Sequence, residues 1–191
     1  LNFGLEYEGL AKISQGITTE CAGNCGSAAF PVSEKYRELF LQITNGWIRE
    51  EDISNISAFT DVDSFINYSN KKKLHLNTAM AVGHSYVRLA VMGMENREPT
   101  KEEMEQMKAY VKEAMERGAF GLSSGLIYPP GPYASTEELV ELCKIVKEYD
   151  GMYITHLRNE SDSVEEALQE AIDIAEQAGV KLWISHHKLL V

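Results

Sequence analysis

The chain has 191 residues, 44% hydrophobic and 25% charged, with a formal net charge of −11, an ordinary balance for one globular domain. The acidic total argues against nucleic-acid binding, which needs basic patches to meet phosphates, and the basic run Lys71, Lys72 and Lys73 reads as a solvated strand entry. No apolar run of about 18 residues is present to span a membrane, residues 1–11 lack the basic cluster of a secretory signal, and three cysteines are too few for a disulfide framework, so a cytoplasmic protein is expected.

Taken in order, Leu5 to Gln15 reads as a helix closed by Gly16, and Ile17 to Ala22 as a β-branched strand. Residues 26–72 form an insertion with helical stretches near Ser33 to Gln42 and Val62 to Ser69. Leu74 to about Val82 reads as the next strand. The second half then repeats one unit. Thr100 and Glu103 form a capping box for a helix whose inner face is Met104, Met107, Val111, Ala114 and Met115, closed by Gly118 and followed by the apolar run Ala119 to Leu122. Ser135 and Glu138 cap a helix with Leu139, Leu142, Cys143 and Val146 inward; Gly151 ends it, and Met152 to Thr155 is a strand. Asp162 and Glu165 are expected to cap the last helix, with Gly179 closing it before the strand Val180 to Ser185.

Strand, helix and strand at this spacing make the βα unit of a parallel α/β sheet. Five strands are expected, near 17, 74, 119, 152 and 181. A closed (β/α) barrel takes roughly 250 residues and eight strands, so the chain fits part of a TIM-like barrel; a complete doubly wound sheet is the alternative. The chain opens on Leu1 and on a helix without a preceding strand, and it stops soon after one, so residues 1–191 are expected to be a single catalytic-domain fragment with an incomplete barrel.

In parallel βα folds the chemistry lies at the carboxyl ends of the strands. There stand Gly23, Asn24, Cys25 and Gly26 after the first strand, His156 after the fourth, and His186, His187 and Lys188 after the fifth. A thiol and two imidazoles arriving at one rim are suitable zinc ligands that leave a position open for water. Taken singly, each has a plainer reading: a strand-end histidine in a structural hydrogen bond, a glycine-flanked cysteine in packing. Cys21, inside its strand, and Cys143, on an apolar helix face, are read as core. Gly121-Leu122-Ser123-Ser124-Gly125 matches the nucleophile-elbow pattern, but Pro129, Pro130 and Pro132 forbid the helix that the motif requires, so Ser123 is not read as a nucleophile.

Several segments, spread from Gln15 to Lys188, resemble the N-acyl-D-amino-acid deacylase (D-aminoacylase) family of the amidohydrolase superfamily. They are Gln15 to Thr19 running into Gly23-Asn24-Cys25-Gly26, Val82-Gly83-His84 with Arg88, Gly121 to Tyr133 with Ala134 to Leu139, Thr155-His156-Leu157-Arg158, and Ile184-Ser185-His186-His187-Lys188. The resemblance implies a partial barrel of the metal-dependent amidohydrolase type, about five of eight strands, holding one or two divalent ions, zinc foremost. It implies Cys25, His156 and His186 as metal ligands, Cys25 able to bridge two metals, with a metal-activated hydroxide attacking the amide of a small N-acyl-D-amino acid. Tyr128 would donate to the oxygen of the scissile amide, and Lys188 would meet the substrate carboxylate. His84, Arg158 and His187 receive no role. The family's early His-x-His is missing here, and its proton-shuttling Asp would lie beyond Val191, so no catalytic acid or base is named and no strand-end carboxylate is picked out. Two other readings stand beside this one: a hydantoinase- or dihydropyrimidinase-like enzyme of cyclic amides, which would bridge its metals with a modified lysine, and a non-catalytic metal-binding remnant that self-associates through open sheet edges.

Overall fold

A computed structural model describes residues 6–44, 59–72 and 75–189. Leu5, Lys73 and Leu74, which belong to expected elements, lie outside these residues. The elements in chain order are α1 (Glu6–Ile13), β1 (Thr19–Ala22), α2 (Arg37–Thr44), α3 (Val62–Lys72), β2 (Asn77–Met80), β3 (Val82–Gly83), α4 (His84–Met92), α5 (Lys101–Glu116), β4 (Gly121–Gly125), a 3₁₀ turn at Gly131–Tyr133, α6 (Thr136–Glu148), β5 (Met152–His156), α7 (Val164–Ala178) and β6 (Lys181–Ile184).

All described strand pairs are parallel: β1 with β2, then β3, β4, β5 and β6 side by side. The expected strand at Leu74 to Val82 is divided in two because its partners change at Ala81. The N–H of Ala81 donates to Ala22 O at 2.9 Å, while Met80 O accepts from Phe120 N–H at 3.0 Å. These bonds join the two ladders, so strand order follows chain order throughout. A doubly wound sheet reverses that order at a switch point; sequential order is barrel winding, and the chain is a partial α/β barrel.

Side-chain alternation separates two faces of the sheet. Leu122, Tyr153 and Leu182 stand in register across β4, β5 and β6 and belong to the core against the helices. That core takes Met107, Val111, Ala114 and Met115 from α5 and Leu139, Leu142, Cys143 and Val146 from α6, the expected apolar faces. Ile154 and Trp183 alternate to the other face and line a cleft with Cys21, Asn24, Phe120, Ser185 and His186. Cys21 is exposed, not core, because its side chain stands on the cleft face with Ile154 and Trp183. Residues of the insertion supply an aromatic wedge, with Phe59 edge-on to Phe65 at 5.6 Å and Phe40 edge-on to Tyr86 at 5.0 Å.

The cap at Thr100 and Glu103 forms in both directions. Ser135 caps α6 by accepting from Glu138 N–H, yet the Glu138 side chain does not return the bond, because it turns inward to His84 and Arg88. The expected cap by Asp162 and Glu165 does not form. Helix α7 begins after Ser163, and Asn159 Oδ1 accepts instead from the N–H groups of Ser161 and Ser163, at 2.7 and 3.2 Å. After α6 the left-handed residue is Asp150, φ 52°, rather than Gly151. Helix α4 was not expected at all. Every one of its nine residues is buried, so it has no polar face to create a helical period.

Candidate metal centre

Cys25 stands in the loop leaving β1, with its backbone in the left-handed region at φ 55°. A non-glycine residue there is uncommon and is held by its surroundings. Glycine permits the close packing that holds it: a Cβ on Gly125 would lie 2.2 Å from Cys25 O, and one on Gly23 would lie 2.2 Å from Ala81 O. The N–H of Gly26 donates to Ser123 Oγ at 3.2 Å. Ser123 is fully buried in β4, so the serine of the elbow-like pattern supports the Cys25 loop and has no route to a substrate.

His156 is the last residue of β5 and is 2% exposed. A buried hydroxyl chain, Tyr153 to Ser124 to Thr155 with links of 2.8 Å, ends with Thr155 Oγ1 donating to His156 O at 3.1 Å. This ties the strand end to β4. His186 follows β6, also at positive φ, 33°. Its Nε2 lies 3.3 Å from Cys25 Sγ, across 161 positions of sequence. The His156 and His186 rings meet edge to face at 4.4 Å between centroids. One donor atom from each of Cys25, His156 and His186 falls within 4.8 Å of the others. The three residues picked from strand ends thus converge.

This set fits a metal. Thiolate and imidazole are zinc ligands. Among the described residues, Nδ1 of the buried His156 has no partner and Nε2 has only the longer contact to Glu160, a poorly satisfied state that coordination would relieve. Glu160 Oε2 is 3.3 Å from His156 Nε2, close enough for attraction. Burial pulls the His156 pKa down, partly opposed by the charge of Glu160, and this favours the neutral ring that a metal requires. Burial raises the Cys25 thiol, Glu160 raises it further, and Lys188 works the other way. The metal-free cysteine therefore holds its proton, and an ion would have to displace it.

Tyr128, half exposed in the loop after β4, sets its ring against His156 at 4.8 Å, so its position borders the three donors. Lys188 Nζ reaches both oxygens of Glu160 at 2.6 Å. Sequence reasoning missed Glu160. Its one signal is the four-residue spacing after His156, in a loop where polarity is unremarkable. Burial raises the Glu160 carboxyl, but the hydrogen bonds from Lys188 and the charges of His156, Lys188 and His186 outweigh that and hold it below the usual range.

The unassigned residues of the family-like segments are largely structural. His84 Nε2 and Arg88 both bind the buried Glu138, the first at 2.8 Å, and Arg88 also donates to the carbonyls of Glu95 and Arg97. Arg158 grips Glu170 at 2.8 Å and donates to Pro132 O and Ala134 O, at 3.0 and 3.1 Å, which anchors the proline-rich loop that carries Tyr128. His187 is exposed.

A parallel α/β barrel segment with Cys, His and His on its carboxyl rim has the ligand types and the location suited to a divalent ion. No protein-family model matches the chain. The D-aminoacylase of Alcaligenes xylosoxydans xylosoxydans is 36% identical over 179 residues, 94% of this chain and 36% of the relative. A crystal structure of a D-aminoacylase, described as defining a novel subset of amidohydrolases, superposes with a TM-score of 0.82 at 34% identity, covering 97% of this chain and 38% of that one. The N-acyl-D-glutamate deacylase of Bordetella bronchiseptica, complexed with zinc and a phosphonate inhibitor, gives 0.81 at 32%, with the same coverage. The chain is similar along nearly its whole length to D-aminoacylases and N-acyl-D-amino-acid deacylases, and it spans little more than a third of the length of the relatives it matches.

Proposed function

We propose that the protein hydrolyses the amide bond of N-acyl-D-amino acids with one or two divalent ions, zinc first, and that Cys25, His156 and His186 hold the ion. Residues 1–191 are part of one catalytic domain in this reading. The observation that carries it is the convergence of the three donors within 4.8 Å around a buried histidine. The relatives add the substrate class, and the Bordetella enzyme adds zinc and an inhibitor that mimics the tetrahedral intermediate. A divalent ion supplies Lewis acidity there, lowering the pKa of water toward about 7 so that it can attack a carbonyl.

The chain's own residues do the rest. The Tyr128 phenol donates to the amide oxygen as negative charge develops on it. Lys188 meets the substrate carboxylate with whatever ammonium protons Glu160 leaves free; an ammonium carries three. The hydroxyl chain behind His156 and the glycine contacts around Cys25 keep the two ligands from drifting, which matters because misplacement by about 1 Å can cost about 10²-fold in rate. The substrate is a small molecule. The net charge of −11 disfavours nucleic acid, no described helix is long and apolar enough to cross a membrane, and the cytoplasm is the proposed compartment.

The test uses the full-length protein. Its metal content is measured, then its turnover of N-acetyl-D-amino acids, their L-enantiomers and hydantoins. We expect turnover of the linear D-compounds, lost with chelator and restored by zinc. Hydantoin turnover alone would move the protein to the cyclic-amide class, and bound metal without any turnover would leave only a metal-binding protein.

A further inference from the structure

Glu160 takes no direct part in the chemistry above beyond its bond to Lys188, yet it also lies against both proposed histidine ligands. It sits four residues beyond His156 in the bend between β5 and α7 and is 5% exposed. Its Oε1 lies 3.5 Å from His186 Nδ1, its Oε2 lies 3.3 Å from His156 Nε2, and Lys188 Nζ is 2.6 Å from both oxygens. One buried carboxylate therefore meets three cationic or potentially cationic groups delivered by the ends of two strands.

The His186 end is the informative one. This ring is 43% exposed and stands on left-handed backbone, so packing alone fixes it poorly. Two groups bracket it: Cys25 Sγ on Nε2 and Glu160 on Nδ1. An N–H at Nδ1 facing a carboxylate leaves the Nε2 lone pair on the side of Cys25, and a carboxylate behind a metal-binding histidine fixes both tautomer and orientation. We propose that Glu160 is a positioning residue that couples the metal centre to the substrate clamp, orienting His186 toward the ion while holding Lys188 beside it. The inference rests on the proposed metal site. A plainer role is a strap, in which the Glu160–Lys188 pair only ties residues 185–188 to the β5 loop. A strap needs both partners equally, whereas orientation of His186 needs only the carboxylate.

That difference sets the experiment. In the full-length protein, Glu160→Gln, Glu160→Asp and Lys188→Met are compared with wild type by zinc affinity in chelator competition. The absorption spectrum of the cobalt-substituted protein, KM and kcat on an N-acetyl-D-amino acid, and thermal unfolding complete the comparison. Glu160→Gln should fold, bind zinc about 10- to 100-fold more weakly, shift the cobalt bands and raise KM. Glu160→Asp, with the charge kept, should recover part of the affinity, and Lys188→Met should raise KM while leaving zinc affinity near wild type. Wild-type zinc affinity and cobalt bands in Glu160→Gln would overturn the proposal, as would an equal loss of zinc in Lys188→Met. Should Glu160→Gln not fold, Glu160→Asp decides: a several-fold loss of zinc supports the proposal and unchanged affinity overturns it. A wild-type protein that binds no zinc removes the metal reading and this inference together, whereas zinc-binding wild type with an indifferent Glu160 removes only this inference.

Discussion

Two clusters in this molecule are built from the same kinds of residue and behave as opposites. In one, Glu138 lies between His84 and Arg88, and all three side chains are at most 1% exposed. In the other, Glu160 lies between His156, His186 and Lys188, and the last two are 43% exposed. In the first, Arg88 meets the carboxylate and also donates to the carbonyls of Glu95 and Arg97, and although Arg88 Nε and His84 Nδ1 have no partner among the described residues, all three side chains are closed off from solvent between α4 and α6. The second adds a thiol, brings donor atoms of Cys25, His156 and His186 within 4.8 Å of one another and opens beside a cleft. A carboxylate–histidine pair therefore says little about function by itself; what separates structure from chemistry is whether donor atoms are left pointing at a common, reachable point.

The largest effect should come from breaking the closed cluster. Glu138→Ala strands the Arg88 guanidinium in the core, and removing one partner of a buried pair costs about 3–5 kcal/mol. Urea unfolding of the metal-free protein reads this, and the folded fraction should still bind zinc; a loss under about 1 kcal/mol would mean that the cluster is no keystone. Breaking the open cluster should do the reverse. Cys25→Ala should lower zinc affinity by more than the ~10- to 100-fold typical of a change behind the ligands, with little change in metal-free stability. Cys143→Ala is the contrast: buried and distant in role, it should keep the metal and cost on the order of 1 kcal/mol. Equal zinc affinity in Cys25→Ala and wild type would end the distinction between the clusters.

The smallest effect is an acid limb that belongs to the closed cluster. Burial raises the Glu138 carboxyl, but the hydrogen bond and charge of His84 and those of Arg88 outweigh it and hold the pKa below normal. A carboxylate with a depressed folded pKa contributes stability that is fully present above its unfolded value, about 4.3, and is lost as pH falls through the folded value. Metal-free wild type should therefore lose stability as pH drops below about 4.3, and Glu138→Gln should lose less over that window. Parallel acid limbs would show that other carboxylates carry the effect.

Local signals in the sequence were reliable where the physics is local. The Thr100–Glu103 cap, the left-handed Gly179 and the apolar faces of α5 and α6 depend on neighbours within a turn. The same local logic failed where long-range packing took over. Glu138 left its capping box for His84 and Arg88 of α4, and α4 itself carried no period because it is buried all round. Cys21 had an apolar strand for neighbours and still faces the open side.

By itself the sequence determined that Cys25, His156 and His186 each stand at or just past the end of a strand, and a repeated βα unit sends every such end to one rim of a parallel sheet. Only the tertiary structure decided that the three meet within 4.8 Å, that Glu160 gathers His156, His186 and Lys188, and that His84, Arg88 and Ser123 go to support. The reason is range. Which residues end a strand is set by a few neighbouring hydrogen bonds, whereas the separation of Cys25 from His186, 161 positions away, is set by how the sheet between them twists and closes.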